Sequence, residues 1–154
     1  MKDQIQKLGP FLLRVTVGYV FIRHGWLKFF RDDASKIVEN IRGFEAGLAK
    51  LQVPMPGLMA WVVASVELLC GALLVLGVAS RIQAALLACV MGVAVMHVHR
   101  AQGLFLSVQS GHVAGYEYAL VLLAACVSLV FAGGGLLELC RFPGGKKPAE
   151  GAKK

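Results

Sequence analysis

Four long apolar stretches, separated by polar connections, define the hydrophobic pattern of this 154-residue chain. They run over residues 8–30, 58–79, 82–98 and 116–132. An α-helix needs about 20 apolar residues to cross a hydrocarbon core of about 30 Å, and each stretch comes close to that length. The pattern therefore predicts an all-α protein, an integral membrane bundle of four helices.

The connection between the first two stretches follows a different pattern. Apolar residues recur there every three or four positions, with charged residues between them. The apolar positions are Ile37, Ile41, Phe44, Leu48 and Leu51. This spacing places the apolar side chains on one face of a helix. We therefore expect an amphipathic helix between spans one and two, lying at the membrane surface or across the mouth of the bundle.

One carboxylate, Glu67, interrupts the second stretch close to its middle. A charged side chain at this depth is costly to insert, so it faces protein or a water-filled cavity and not lipid. Partners for it are available in the first stretch, where two cations and small residues share one helix face. The residues of this stripe are Arg14, Gly18, Phe21, Gly25 and Lys28. Its glycines would allow another helix to approach closely.

Composition supports a membrane protein. Hydrophobic residues make up 57% of the chain and charged residues only 16%, which is too apolar for an ordinary soluble domain of this size. The net charge of +7 suggests contact with anionic lipid headgroups. Because basic and aromatic residues form no clustered recognition surface, we expect no nucleic-acid partner.

The cysteines argue against thiol chemistry by this chain alone. They lie far apart and form no CxxC pair, at Cys70, Cys89, Cys126 and Cys140. A thiol–disulfide exchange centre or a structural zinc site normally needs closely spaced ligands. We therefore interpret them as small apolar residues between helices and expect no metal site.

The distribution of basic residues predicts the orientation. Lysine and arginine are slightly more numerous near the two termini and the turn at Arg81 than on the opposite side, where acidic residues also dilute them. This bias favours cytoplasmic termini in a multi-pass protein. We expect residues 1–140 to form the membrane domain and residues 141–154, rich in Gly, Pro and Lys, to form a flexible basic cytoplasmic tail.

The alternating direction of the spans brings several polar residues to the same, outer end of the bundle. Lys28, His97 and Glu117 lie at this end, and Glu67 lies deeper. Arg14 would approach Glu67 from the cytoplasmic half. The sequence thus predicts a polar pocket inside the bundle.

These residue types indicate two kinds of role. We expect Glu67 and Glu117 to be catalytic groups that handle protons, because intramembrane ionisable residues are commonly functional. Arg14, Lys28 and His97 would bind a cofactor by donating hydrogen bonds. The alternative is that a Lys or Arg paired with Glu67 only fixes the packing of the helices.

Three motifs resemble a known family. They read RxxxGxxFxxxGxxK over residues 14–28, ExxxGxxLxxGxxxR over 67–81, and GYEYAL over 115–120. Together they resemble the DoxX family of small four-span bacterial membrane proteins, over about residues 8–134. The resemblance implies a four-helix bundle in the bacterial inner membrane and an association with redox chemistry, as in small subunits of thiosulfate:quinone oxidoreductase.

The leading hypothesis is an integral membrane subunit of an oxidoreductase system that binds a quinone in the polar pocket. No redox centre is visible in the sequence, so a partner protein would deliver the electrons and the chain would not be catalytic alone. The alternative is a non-catalytic anchor that recruits and stabilises a redox partner protein. A small-solute carrier is a weaker third reading, since 154 residues would then require a homo-oligomer.

Overall fold

Five α-helices make up most of the structure, which is a computed structural model. It describes residues 2–31, 34–99, 107–109, 112–114 and 116–139; the predicted tail, 141–154, lies outside this part of the chain. The helices are α1 (Lys2–Phe29), α2 (Ile37–Lys50), α3 (Pro56–Leu76), α4 (Ser80–Val93) and α5 (Glu117–Ala132). A 3₁₀ turn, Ala34–Lys36, precedes α2, and a π-helical turn, Ala94–His99, extends α4. Strands β1 (Ser107–Gln109) and β2 (His112–Ala114) pair as a short antiparallel hairpin.

The apolar helices confirm the predicted all-α membrane bundle. Three are long and apolar enough to cross a bilayer, over Ile5–Phe29, Pro56–Leu76 and Ser80–His97. Helix α5 is also apolar but has only 16 residues. At about 1.5 Å per residue its length is about 24 Å, less than the hydrocarbon thickness of about 30 Å.

Helices α1, α3, α4 and α5 pack in a closed ring around a common core. Helix α1 lies against α3, α3 against α4, α4 against α5, and α5 returns to α1. All four helices contribute fully buried or nearly buried apolar side chains, including Phe21, Leu74, Leu87 and Leu129. The centre of the bundle is therefore filled with apolar side chains.

Contact between α1 and α3 depends on glycine. A Cβ atom on Gly25 would lie 2.6 Å from the backbone nitrogen of Leu68, and one on Gly71 would lie 2.9 Å from the carbonyl oxygen of Gly18. Real Cβ atoms do not approach backbone so closely, so these helices meet backbone to backbone. The predicted inward direction of the α1 stripe is confirmed, because Arg14 and Phe21 are each only 1% exposed.

Helix α2 is amphipathic, as predicted. It packs against α1 and α3 at the end of the bundle where α1 finishes and α3 begins, which we call the groove end. Ile41 and Leu48 are buried in a second cluster with Ala60 and Ala64 of α3. The charged side of the helix is exposed, which fits a position at a bilayer surface.

Candidate functional site

An ion pair between Lys28 and Glu67 lies at the centre of the candidate site. Nζ of Lys28, near the end of α1, donates a hydrogen bond to Oε2 of Glu67 in α3. The Lys28 side chain is 16% exposed and that of Glu67 only 7%. The same ammonium lies 5.0 Å from the ring centroid of Phe44 in α2, within the range of a cation–π contact. Three helices therefore meet at Lys28.

The glycine contact explains why this pair forms. Gly25 lies three residues before Lys28, on the same face of α1, and it touches Leu68, the neighbour of Glu67. Because this contact brings the two backbones together, the long lysine side chain reaches across one helix interface to the carboxylate. A larger residue at position 25 would separate α1 from α3 at the level of the ion pair.

A groove with a volume of about 590 Å³ opens between α1 and α2, and Lys28 forms part of its wall. This volume is within the range of small-molecule sites. Asn40 fixes α2 at this position, since its Nδ2 donates a hydrogen bond to the carbonyl oxygen of Phe29 at 2.9 Å. The lining residues combine apolar, basic, acidic and amide groups with glycine: Leu27, Lys28, Arg31, Glu39, Asn40, Gly43, Phe44 and Gly47. Lys28 thus connects the groove to the buried carboxylate behind it.

Arg14 is not part of this site, and the expected approach to Glu67 is wrong. Its Nη2 donates to the carbonyl oxygen of Leu137 at 3.4 Å, at the opposite end of the bundle. Arg14 and Lys28 are 14 residues apart in one helix, which separates them by about 21 Å along its axis. Helical side chains also lean toward the N-terminus, so the guanidinium points further away from Glu67.

His97 and Glu117 do not join the ion pair. His97 is exposed in the π-helical turn, and Glu117 is half-buried in the first turn of α5. Within the part of the chain that the structure describes, no hydrogen bond or salt bridge joins either residue to Lys28 or Glu67. Their roles stay predictions from the sequence.

Phe44 and Asn40 are the functional candidates that sequence reasoning missed. Phe44 belongs to the apolar stripe of α2, which suggested only packing. A signal was available nevertheless: the chain passes from Lys28 to α2 through a short connection, so the start of α2 must lie close to Lys28. What could not be foreseen is which face of α2 meets the ammonium.

The fold and the site together define a class, an integral membrane helical bundle with a buried Lys–Glu pair beside an open groove. The chain belongs to the DoxX family, whose model matches residues 9–100, a range that includes Arg14, Lys28, Glu67 and His97. It is 28% identical over 137 residues to a protein of Bacillus subtilis (strain 168) named "Putative oxidoreductase CatD". That alignment covers 88% of this chain and 87% of the relative. No solved structure matches the chain significantly.

Proposed function

We propose that this protein is an integral membrane subunit of an oxidoreductase system and binds a quinone, or a similar small ligand with ring oxygens, in the groove between α1 and α2. The observation that carries the proposal is the position of Lys28, which lines the groove and is paired with Glu67. The relative named as an oxidoreductase supports the redox association.

The chemistry of Lys28 fits a carbonyl ligand. An ammonium group has three N–H donors. Glu67 accepts one of these hydrogen bonds, which leaves donors for a quinone oxygen. Leu27 and Phe44 supply apolar contacts for a ring in the same groove.

The Lys28–Glu67 pair is the proposed donor of one proton, which the Lys28 ammonium carries and the Glu67 carboxylate holds in place. Reduction of a quinone to a quinol takes up two electrons and two protons. Lys28 would pass one proton to the reduced oxygen, and the Glu67 carboxylate beside the resulting amine would favour its reprotonation from water at the groove. Water would also supply the second proton. Electrons would come from a partner protein. Glu117 and His97 stay candidates for proton transfer and ligand binding on sequence grounds alone.

We further propose that the protein lies in the bacterial inner membrane with both termini in the cytoplasm. The backbone N–H of Leu136 donates to the carbonyl oxygen of Lys7, so both ends of the membrane domain lie at one end of the bundle. The basic residues there favour the cytoplasmic side. A cysteine replacing Arg81 should react with a membrane-impermeant thiol reagent only after the cells are opened, whereas one replacing Lys50 should react in intact cells. The reverse pattern would refute this orientation.

Quinone binding can be measured through the protein's own fluorescence. The two tryptophans of the chain, Trp26 and Trp61, both lie toward the groove end. Titration with a short-chain benzoquinone or naphthoquinone should quench the purified protein in a saturable manner. Lys28→Met should weaken binding at least about tenfold, because a charged hydrogen bond contributes about 1.5–3 kcal/mol. Arg23→Gln, which changes an exposed cation of the same helix, should bind normally.

The alternative is a non-catalytic anchor for a redox partner. One observation favours it: Glu67 already has a cation as its partner, so the pair needs no ligand to be satisfied and can help to set the register of α1 against α3. Equal, non-saturable quenching in wild type, Lys28→Met and Arg23→Gln would contradict quinone binding and favour the anchor.

A further inference from the structure

A second buried cation lies at the end of the bundle opposite the groove. Arg14 is 1% exposed, and its Nε and Nη1 atoms have no hydrogen-bond partner in the described part of the chain. The hydroxyl of Ser80, at the start of α4, is likewise buried without a partner. A buried guanidinium needs an anion, since an uncompensated charge away from water is strongly destabilising.

The chain after α5 brings a carboxylate close to these donors. A Cβ atom on Gly134 would lie 2.9 Å from Oε1 of Glu138 and 3.0 Å from Nη1 of Arg14, and it would collide with Oγ of Ser80. All three groups therefore surround one point on the backbone of Gly134. Glu138 is half-buried, and within the described residues neither a hydrogen bond nor an ion pair yet joins its carboxylate to Arg14 or Ser80.

Glycine provides the space for this arrangement. A Cβ atom on Gly77 would lie 2.9 Å from Cζ of Arg14 and 2.9 Å from the carbonyl oxygen of Leu137. Gly77 also has φ of +77°, in the left-handed region that favours glycine. Gly77 and Gly134 thus flank the guanidinium on two sides.

Backbone hydrogen bonds attach residues 133–139, which we call the latch segment, to the rest of the bundle. The N–H of Leu136 donates to the carbonyl oxygen of Lys7 at 3.3 Å, and the N–H of Leu139 donates to that of Gly77 at 3.0 Å. Arg14 adds the side-chain hydrogen bond to Leu137. The segment therefore crosses from α5 to the start of α1 and the end of α3.

We propose that Arg14 and Ser80 form a carboxylate-binding site, that Glu138 becomes its ligand by a small rotation of its side chain, and that this interaction locks the latch segment across the end of the bundle. The lock fixes the point from which the chain continues into its basic C-terminal residues. Arg14 is a positioning residue in this account. It acts at a site separate from the groove, so the inference does not depend on quinone binding.

Hydrogen–deuterium exchange of the full-length protein in detergent micelles tests the lock. The amides of Leu136 and Leu139 should exchange slowly in wild type, because both are hydrogen-bonded. In Glu138→Gln the peptide containing the latch segment should exchange about tenfold faster, while peptides of α3 and α5 keep their protection. Glu39→Gln, the same change on the exposed side of α2, is the matched control and should leave the latch segment as slow as wild type.

Arg14→Gln should accelerate exchange at least as much, because it also removes the hydrogen bond to Leu137. Adding Glu138→Gln to Arg14→Gln should have little further effect, because the carboxylate has then already lost its partner. If Arg14→Gln does not fold, Ser80→Ala takes its place in the comparison of the single variants with the double variant. Wild-type exchange of the latch segment in Glu138→Gln would overturn the proposal. So would fully additive effects in the double variant.

Discussion

At the scale of single residues, the Lys28–Glu67 pair combines a large mutational sensitivity with a small net contribution. Removing one partner of a buried pair leaves an uncompensated charge and destabilises a protein by about 3–5 kcal/mol. Replacing both partners with apolar residues of similar size is often close to neutral. Comparing the single variants with the double variant therefore distinguishes a loss of stability from a loss of ligand binding.

Lys28→Met and Glu67→Met should therefore each lower the free energy of unfolding by about 3–5 kcal/mol, and with it the melting temperature. The double variant should recover most of this loss. Circular dichroism during heating in detergent measures this. Arg23→Met is the control, since Arg23 is exposed on the same helix. A double variant less stable than either single variant would show that the pair itself stabilises the fold.

The sequence could identify Glu67 as a residue that needs a partner, but it could not choose between the two cations of the α1 stripe. Lys28 and Arg14 lie on the same face of α1, so the helical periodicity of the sequence does not distinguish between them. The relative positions of α1 and α3 along their axes decide the choice, and these positions follow from backbone contacts at Gly18, Gly25 and Gly71.

At the scale of helices, those glycine contacts predict an asymmetric response to alanine. Gly25→Ala should destabilise the protein by about 1–3 kcal/mol, because the added methyl group meets the backbone of Leu68. Gly92→Ala in α4 should be neutral or stabilising by up to about 1 kcal/mol, since open space surrounds that position and alanine favours a helix. Thermal unfolding of both variants makes the comparison. Equal effects would mean that the close approach of α1 to α3 contributes little.

The existence of α1 and α3 could be predicted because each is a long apolar stretch, and that of α2 because its apolar residues repeat with helical spacing. The hairpin formed by β1 and β2 was missed, although residues 106–109 alternate apolar and polar side chains and the dipeptide Ser110-Gly111 is typical of turns. Each strand has only three residues, which is too short for the alternation to stand out. The π-helical turn after α4 could not be predicted from the sequence either. It continues an apolar run whose composition does not distinguish π from α hydrogen bonding.

At the scale of the whole molecule, the groove lies outside the four-helix core. The sequence suggested a polar pocket inside the bundle, but apolar side chains of α1, α3, α4 and α5 fill that space. Helix α2 completes the groove from outside, so the groove lies between α1 and α2 and not within the ring of four helices. Which helices enclose a site depends on their rotation and spacing, and amphipathic periodicity fixes only the buried face of each helix.

The central claim is that Lys28 binds a quinone in the groove, and mass spectrometry of the protein purified in mild detergent from its native membrane tests it most directly. Quinones are extracted from one aliquot, and co-purifying proteins are digested in another. The account predicts a near-stoichiometric quinone in wild type and Arg23→Met, and its loss in the Lys28→Met/Glu67→Met variant, which has no unpaired buried charge. A quinone content no higher than that of the surrounding lipid, in wild type as in the double variant, would contradict the claim.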